Sequence, residues 1–166
     1  MRPSHRKASR AFSLVELVIV VVILAIIGAI AIPRMSRGAK GASDSALISD
    51  LAVFRSAIDL YATEHGGDLP GLTVVTQLTQ YSDINGGVLA LKDATHIYGP
   101  YLRQIPPMPV GSKKGARDVF VTTVAADTPP GGAATDGWWY NSATGEIRAN
   151  LPVGDVDESG KKYNTY

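Results

Sequence analysis

The 166-residue sequence contains no cysteine and only three histidines. The missing thiols exclude disulfide bonds, thiolate zinc sites and cysteine nucleophiles. The histidines, at positions 5, 65 and 96, do not have the spacing of metal ligands. The G-x-S-x-G, H-E-x-x-H and P-loop motifs are also missing. We therefore expect no enzymatic activity.

Positive charge is scarce outside the first eleven residues. Those eleven carry four basic residues and no acid, whereas the remainder carries 12 basic and 15 acidic residues, a net charge of −3. A nucleic-acid-binding protein would need a clustered basic face. We therefore expect no nucleic-acid partner.

One apolar segment dominates the sequence. Residues 12–32 contain a single charge, at Glu16. As a helix these 21 residues would be roughly 31 Å long, close to the thickness of a bilayer's hydrocarbon core. β-Branched residues are frequent in the segment, but a lone span in lipid must satisfy its own backbone hydrogen bonds and is therefore helical. The sequence thus predicts a transmembrane helix over residues 12–33.

The apolar segment has three competing interpretations. A secretory signal peptide could be cleaved at Ala29-Ile30-Ala31, although the apolar run is long for one. An uncleaved anchor explains the length but not Glu16, because an acid within a span costs about 2.5–3.5 kcal/mol and is usually functional. The third interpretation, which does use Glu16, comes from a family resemblance.

The string Ala11-Phe12-Ser13-Leu14-Val15-Glu16-Leu17 resembles the N-terminal signature of type IV prepilins and type II secretion pseudopilins. The resemblance implies that residues 1–11 are a leader, which prepilin peptidase removes between Ala11 and Phe12 at the cytoplasmic face. It further implies N-methylation of Phe12 and assembly roles for Glu16 and Pro33. Ala11 stands where the family usually has glycine.

The same resemblance implies how the mature chain is placed and with what it associates. The chain would be a single-pass protein of the inner membrane, with a cytoplasmic N-terminus and an extracytoplasmic C-terminal domain. Its partners would be further copies of itself in a filament, other pseudopilins and an inner-membrane assembly platform.

The helix is predicted to continue beyond the span, over residues 34–67. Its apolar residues recur at alternating spacings of four and three and form one face: Leu47, Leu51, Phe54, Ile58 and Tyr61. Gly66 and Gly67 should end the helix. Pro33 either marks a simple boundary or, as in pilin filaments, lets residues 28–33 unwind when subunits pack.

Residues 68–166 are predicted to complete an α+β fold. Strands are expected at 118–124, 137–140 and 146–151, the last two joined by a turn. Residues 73–78 and 88–91 fit either short helices or strands. A long helix packed on a small antiparallel sheet would cover the helix's apolar face, and the resemblance implies the same pilin-like fold.

The C-terminal half carries a second resemblance. Residues 137–150 are similar to a Trp/Tyr-x-x-x-Thr-Gly-Glu-Ile hairpin found in many pseudopilins, and residues 98–111 resemble the segment before it. Adjacent Trp138 and Trp139 should point to opposite faces of a strand. We expect one in the core and the other partly exposed or at a subunit contact; the alternative is that both are packed inside the protein.

The sequence favours one branch of this superfamily. Adhesive type IV pilins commonly carry a cysteine-bounded loop, which this chain lacks. The absence of this loop and the short soluble domain favour a pseudopilin, most like the major (G-type) subunit, whose filament promotes protein export. The alternatives are a type IV pilus subunit for adhesion, motility or DNA uptake, and a membrane-anchored binding protein that does not polymerise.

One acidic motif near the end suggests a metal. Asp155, Asp157, Ser159 and Gly160 match the opening of a calcium loop, in which alternate oxygens face the ion. Position twelve of such a loop, normally glutamate, is Tyr166. This is therefore not a complete EF-hand loop, and a solvated acidic segment explains it without a metal. The resemblance to G-type pseudopilins, which bind calcium in a C-terminal loop, implies a calcium site here as the alternative.

Overall fold

The computed structural model of the protein describes residues 12–166, with the side chains of residues 32–37 excluded. The predicted leader, including Ala11, lies outside the described residues. The described residues divide into two compact units, residues 12–39 and Lys40–Tyr166. The elements in chain order are α1 (Leu14–Glu64), α2 (Val74–Thr79), β1 (Tyr81–Ser82), β2 (Val88–Leu89), β3 (Asp118–Thr122), β4 (Asp136–Asn141), β5 (Glu146–Ala149) and a 3₁₀ helix (Tyr163–Thr165).

Helix α1 is the predicted long N-terminal helix and extends over 51 residues. It ends where the glycine pair was expected to end it. Gly66 and Gly67 have φ angles of 70° and 103°, and the Gly67 N–H donates to the Ala62 carbonyl oxygen at 2.7 Å. This hydrogen bond is typical of a Schellman motif, in which glycine adopts the left-handed conformation that terminates a helix.

The second half of α1 buries the apolar face that its periodicity predicts. All five residues of that face are at most 2% exposed: Leu47, Leu51, Phe54, Ile58 and Tyr61. They pack in one cluster with inward-facing residues of β4 and β5, among them Trp138 and Ile147. The Phe54 and Trp138 rings meet edge to face with centroids 4.9 Å apart. The core thus lies between the helix and the sheet.

The main sheet has the order β3-β4-β5. The expected antiparallel hairpin is present as β4–β5. A second antiparallel pair, β1–β2, forms a separate small sheet. Strand β3 differs, because it adds to β4 in parallel. The connection over residues 123–135 is long enough for the crossover that parallel strands require. The α+β, pilin-like arrangement is confirmed, with one parallel pair in its sheet.

Both tryptophans of β4 are fully buried within the single chain, as the alternative interpretation expected, and neither is partly exposed. Trp138 belongs to the core, whereas Trp139 points to the other face of the sheet and lies outside that cluster. The β3 partner of Trp139 is Phe120. A side chain on Gly131 or Gly132 would collide with the Phe120 ring. The crossover therefore covers the outer face of the sheet closely.

The segment between helix and main sheet contains short elements. Residues 74–79 form α2, and β2 forms within the predicted stretch at 88–91. Strand β1 was not predicted; its Ser82 also bridges to Tyr98 in antiparallel fashion. Residues 99–112 contain four prolines and are called the proline-rich loop. Four of its apolar side chains enter the core: Leu102, Ile105, Met108 and Val110.

Candidate assembly site

The first turn of α1 contains Glu16, one of the two predicted assembly residues. Phe12 and Ser13 precede the helix, which begins at Leu14. The Leu17 N–H donates to the Ser13 carbonyl oxygen at 3.2 Å and closes the first turn. Glu16 lies within this turn, four residues after the predicted new N-terminus at Phe12. The carboxylate is thus held at the very start of the apolar helix.

The apolar span is uncovered in the single chain. Its large apolar side chains, from Phe12 to Ile30, are between 48% and 79% exposed. Within the described residues, the window Leu14–Ala31 is the one helical stretch long and apolar enough to cross a membrane, with a mean hydropathy of 3.1. Exposed apolar surface of this extent needs lipid or protein around it.

Ser13 is a residue that the sequence analysis missed. Ser13 and Glu16 have the S-x-x-E spacing of a capping box, a signal present in the sequence. A carboxylate in the first turn also interacts favourably with the helix dipole, by about 0.3–1 kcal/mol. An acid at the centre of a span would cost roughly 2.5–3.5 kcal/mol, whereas Glu16 lies at the end of the apolar helix.

Pro33, the other predicted assembly residue, lies inside α1, and the helix continues beyond it to Glu64. The single chain is thus helical across residues 28–33. Unwinding of this stretch in a filament stays a prediction.

The predicted calcium residues are close in sequence, but their side chains have different partners. Asp155 Oδ2 accepts hydrogen bonds from the N–H and the hydroxyl of Ser112, both at 2.7 Å. Asp157 Oδ1 accepts from the Ser159 N–H and hydroxyl at 2.7 Å and from the Lys161 N–H at 2.9 Å. Asp157 Oδ2 accepts from the Tyr166 hydroxyl.

These hydrogen bonds favour the ionised form of Asp157. The donors, Tyr166 first and then Ser159, hold the pKa of the Asp157 carboxyl well below its usual range. Calcium takes six to eight oxygen ligands, whereas both carboxylate oxygens of Asp157 and Oδ2 of Asp155 already accept hydrogen bonds from protein donors. Within the described part of the chain, no three His, Asp or Glu side chains are grouped as metal ligands. As arranged here, these residues do not fit a calcium ion.

Comparison with known protein families addresses the N-terminal segment. The family model of the prokaryotic N-terminal methylation motif matches residues 6–32. The chain carries a prepilin-type methylation motif. The match is consistent with the type IV pilin and pseudopilin superfamily. A motif of this type implies processing by prepilin peptidase, pilin-type assembly and, together with the apolar helix, membrane anchoring. Neither the curated proteins nor the solved structures include a match to the chain.

Proposed function

We propose that the chain is a structural subunit of a type II secretion pseudopilus. In this proposal, prepilin peptidase cuts before Phe12 at the cytoplasmic face of the inner membrane. The mature subunits then assemble into a filament that promotes protein export. The observation that carries the proposal is the exposed apolar helix, with one carboxylate in its first turn, which lies within a prepilin-type methylation motif.

The need for a partner at Glu16 supports assembly over simple anchoring. Leu14–Ala31 contains no lysine, arginine or histidine, so the span offers no cation of its own. Cleavage before Phe12 creates an α-amino group at the same end of the helix. Pairing of Glu16 with the amino group of a neighbouring subunit would offset the desolvation of both charges. It would also set the axial stagger between subunits, so that Glu16 acts as an assembly register.

The choice of a pseudopilus over a type IV pilus depends on the soluble unit. The sequence has no cysteine for the loop that many adhesive pilins carry, and Lys40–Tyr166 is a short soluble unit. The hairpin formed by β4 and β5 carries Thr-Gly-Glu-Ile at residues 144–147, a sequence similar to one found in the hairpins of many pseudopilins. These features favour a G-type pseudopilin.

Deletion of the gene tests this proposal. In the deletion strain, proteins normally exported across the outer membrane should accumulate in the periplasm, while surface motility and DNA uptake stay unchanged. Reintroduction of the unmodified chain should restore export. Loss of motility or DNA uptake with normal export would instead identify a pilus subunit. An unchanged strain whose processed protein never appears in sheared filaments would identify a membrane-anchored protein that does not polymerise.

A further inference from the structure

The segment Asp155–Tyr166 is closed by its own side chains. The Asp157 carboxylate accepts the side-chain and backbone hydrogen bonds described above, and backbone hydrogen bonds such as that from the Tyr163 N–H to the Asp155 carbonyl oxygen, at 3.1 Å, close the segment as well. Three donors converge on its Oδ1 from Ser159 and Lys161, and the Tyr166 hydroxyl donates to its Oδ2. Hydrogen bonds to a charged acceptor are the stronger kind. The carboxylate thus has protein donors on both oxygens without a metal.

A cation of the chain itself completes this arrangement. The Lys161 ammonium lies over the Tyr166 ring, with Nζ 3.6 Å from the ring centroid, which is a favourable cation–π geometry. The same ring carries the hydroxyl that donates to Asp157. A calcium ion bound at Asp157 would displace that hydroxyl and bring a second positive charge close to Lys161.

The closed segment is also tied to two distant parts of the Lys40–Tyr166 unit. Tyr163 is 3% exposed and belongs to the core. Its hydroxyl donates to Asp44 Oδ1 on α1 at 2.6 Å, and Asp155 holds the loop at Ser112. The segment therefore connects the helix to the proline-rich loop.

We propose that Asp155–Tyr166 is a metal-independent clasp. In this clasp Tyr166 and Lys161 supply the hydrogen-bond donor and the positive charge that a calcium ion would supply in a metal-bound loop. The clasp holds the segment on α1 at Asp44. The inference does not depend on the proposed secretion role, because it concerns side chains of the Lys40–Tyr166 unit alone.

Hydrogen exchange on the full-length chain in detergent micelles tests the clasp. Removal of one hydroxyl in Tyr166→Phe keeps the ring and its cation–π contact. Amides of residues 155–166 should then exchange about tenfold faster, since a charge-assisted hydrogen bond is lost. Lys161→Met, which keeps an apolar stem, should also speed exchange in this segment.

The matched control is Tyr81→Phe. The Tyr81 hydroxyl makes no hydrogen bond to any residue in the described part of the chain, so this variant should leave exchange at residues 155–166 unchanged. Addition of about 5 mM calcium, above the weakest affinities of extracellular calcium modules, should not alter exchange of the unmodified chain relative to chelator.

Two results would overturn the clasp. The first is slower exchange with calcium in the unmodified chain that disappears in Asp157→Asn, which would establish a metal site. The second is unchanged exchange in Tyr166→Phe, which would show that the hydroxyl does not hold the segment.

Discussion

Replacement of Glu16 by leucine tests the assembly register most directly. An acid near the centre of a span costs about 2.5–3.5 kcal/mol and leucine is favourable by about 0.3–0.6 kcal/mol. Glu16 lies in the first turn of α1, where the helix dipole stabilises a negatively charged side chain by about 0.3–1 kcal/mol. Glu16→Leu should therefore insert into the membrane at least as well as the unmodified chain, and leader removal should stay intact.

The expected loss is in assembly. If each subunit's Glu16 pairs with the amino group of a neighbour's Phe12, its removal leaves that amine unpaired at every contact. Breaking a buried ion pair in this way costs about 3–5 kcal/mol. Each subunit addition should then be weakened at least a hundredfold, because about 1.4 kcal/mol corresponds to a factor of ten. Ordered filaments should be lost, together with the export that depends on them.

Complementation of the deletion strain measures both parts of this prediction. Immunoblots of whole cells measure leader removal, and immunoblots of sheared material detect filaments. The amount of exported protein in the culture medium measures export. Val18→Leu, an apolar exchange on the same exposed helix, is the matched control and should behave like the unmodified chain. Normal filaments and full export from processed Glu16→Leu protein would refute the register.

Three further predictions concern processing, the core and pH. Intact-mass analysis of the mature protein should find N-methyl-Phe12 at its start; a start beyond the apolar span would instead indicate a secretory signal peptide. Phe54→Ala should lower the free energy of unfolding by about 3–5 kcal/mol, measured by denaturant titration of tryptophan fluorescence, whereas alanine at exposed Ile48 should change it by about 0.5 kcal/mol or less. Hydrogen bonding to Asp157 raises the pKa of Tyr166 to about 12, while the pKa of Asp157 is lowered from its ordinary 3.8. The stability that this pair contributes is therefore present between about pH 5 and 9, lost on acidification below about pH 4, and lost again as pH rises from about 10 towards 12. Thermal unfolding should accordingly show a difference between the unmodified chain and Tyr166→Phe that is constant in that window and shrinks outside it; a difference independent of pH would contradict the assignment.

Local signals in the sequence were enough to predict α1 and the β4–β5 hairpin. The helix depends on a repeat that recurs within one or two turns, and its end depends on the adjacent pair Gly66 and Gly67. The hairpin depends on a turn between two neighbouring strands. The parallel addition of β3 could not be predicted in this way, because the crossover allows either direction and packing across the sheet decides between them.

The two candidate sites also differ in whether local sequence or contacts between distant residues determine them. The spacing of Phe12 and Glu16 is a local motif, and the family model of the methylation motif covers both residues; the assembly role of Glu16 stays a prediction. The acidic motif at Asp155 and Asp157 is also local, but the direction of its carboxylates is not. Ser112, 43 positions earlier in the chain, holds Asp155, and Tyr166 holds Asp157 from a position where a calcium loop would have glutamate. Contacts of this kind appear only once the fold brings the partners together.

Folding and assembly depend on separate residues of the same helix. Among the residues whose side chains the structure describes, the buried core runs from Leu47 to Tyr163, all within the Lys40–Tyr166 unit, and includes none of residues 12–31. The span's exposed surface gains its stabilisation from lipid or from other subunits, because the chain does not bury it. Glu16→Leu should therefore impair filaments without changing the unfolding of the soluble unit, whereas Phe54→Ala should destabilise that unit without affecting leader removal. A shared loss in both variants would show that the two halves of α1 are energetically coupled.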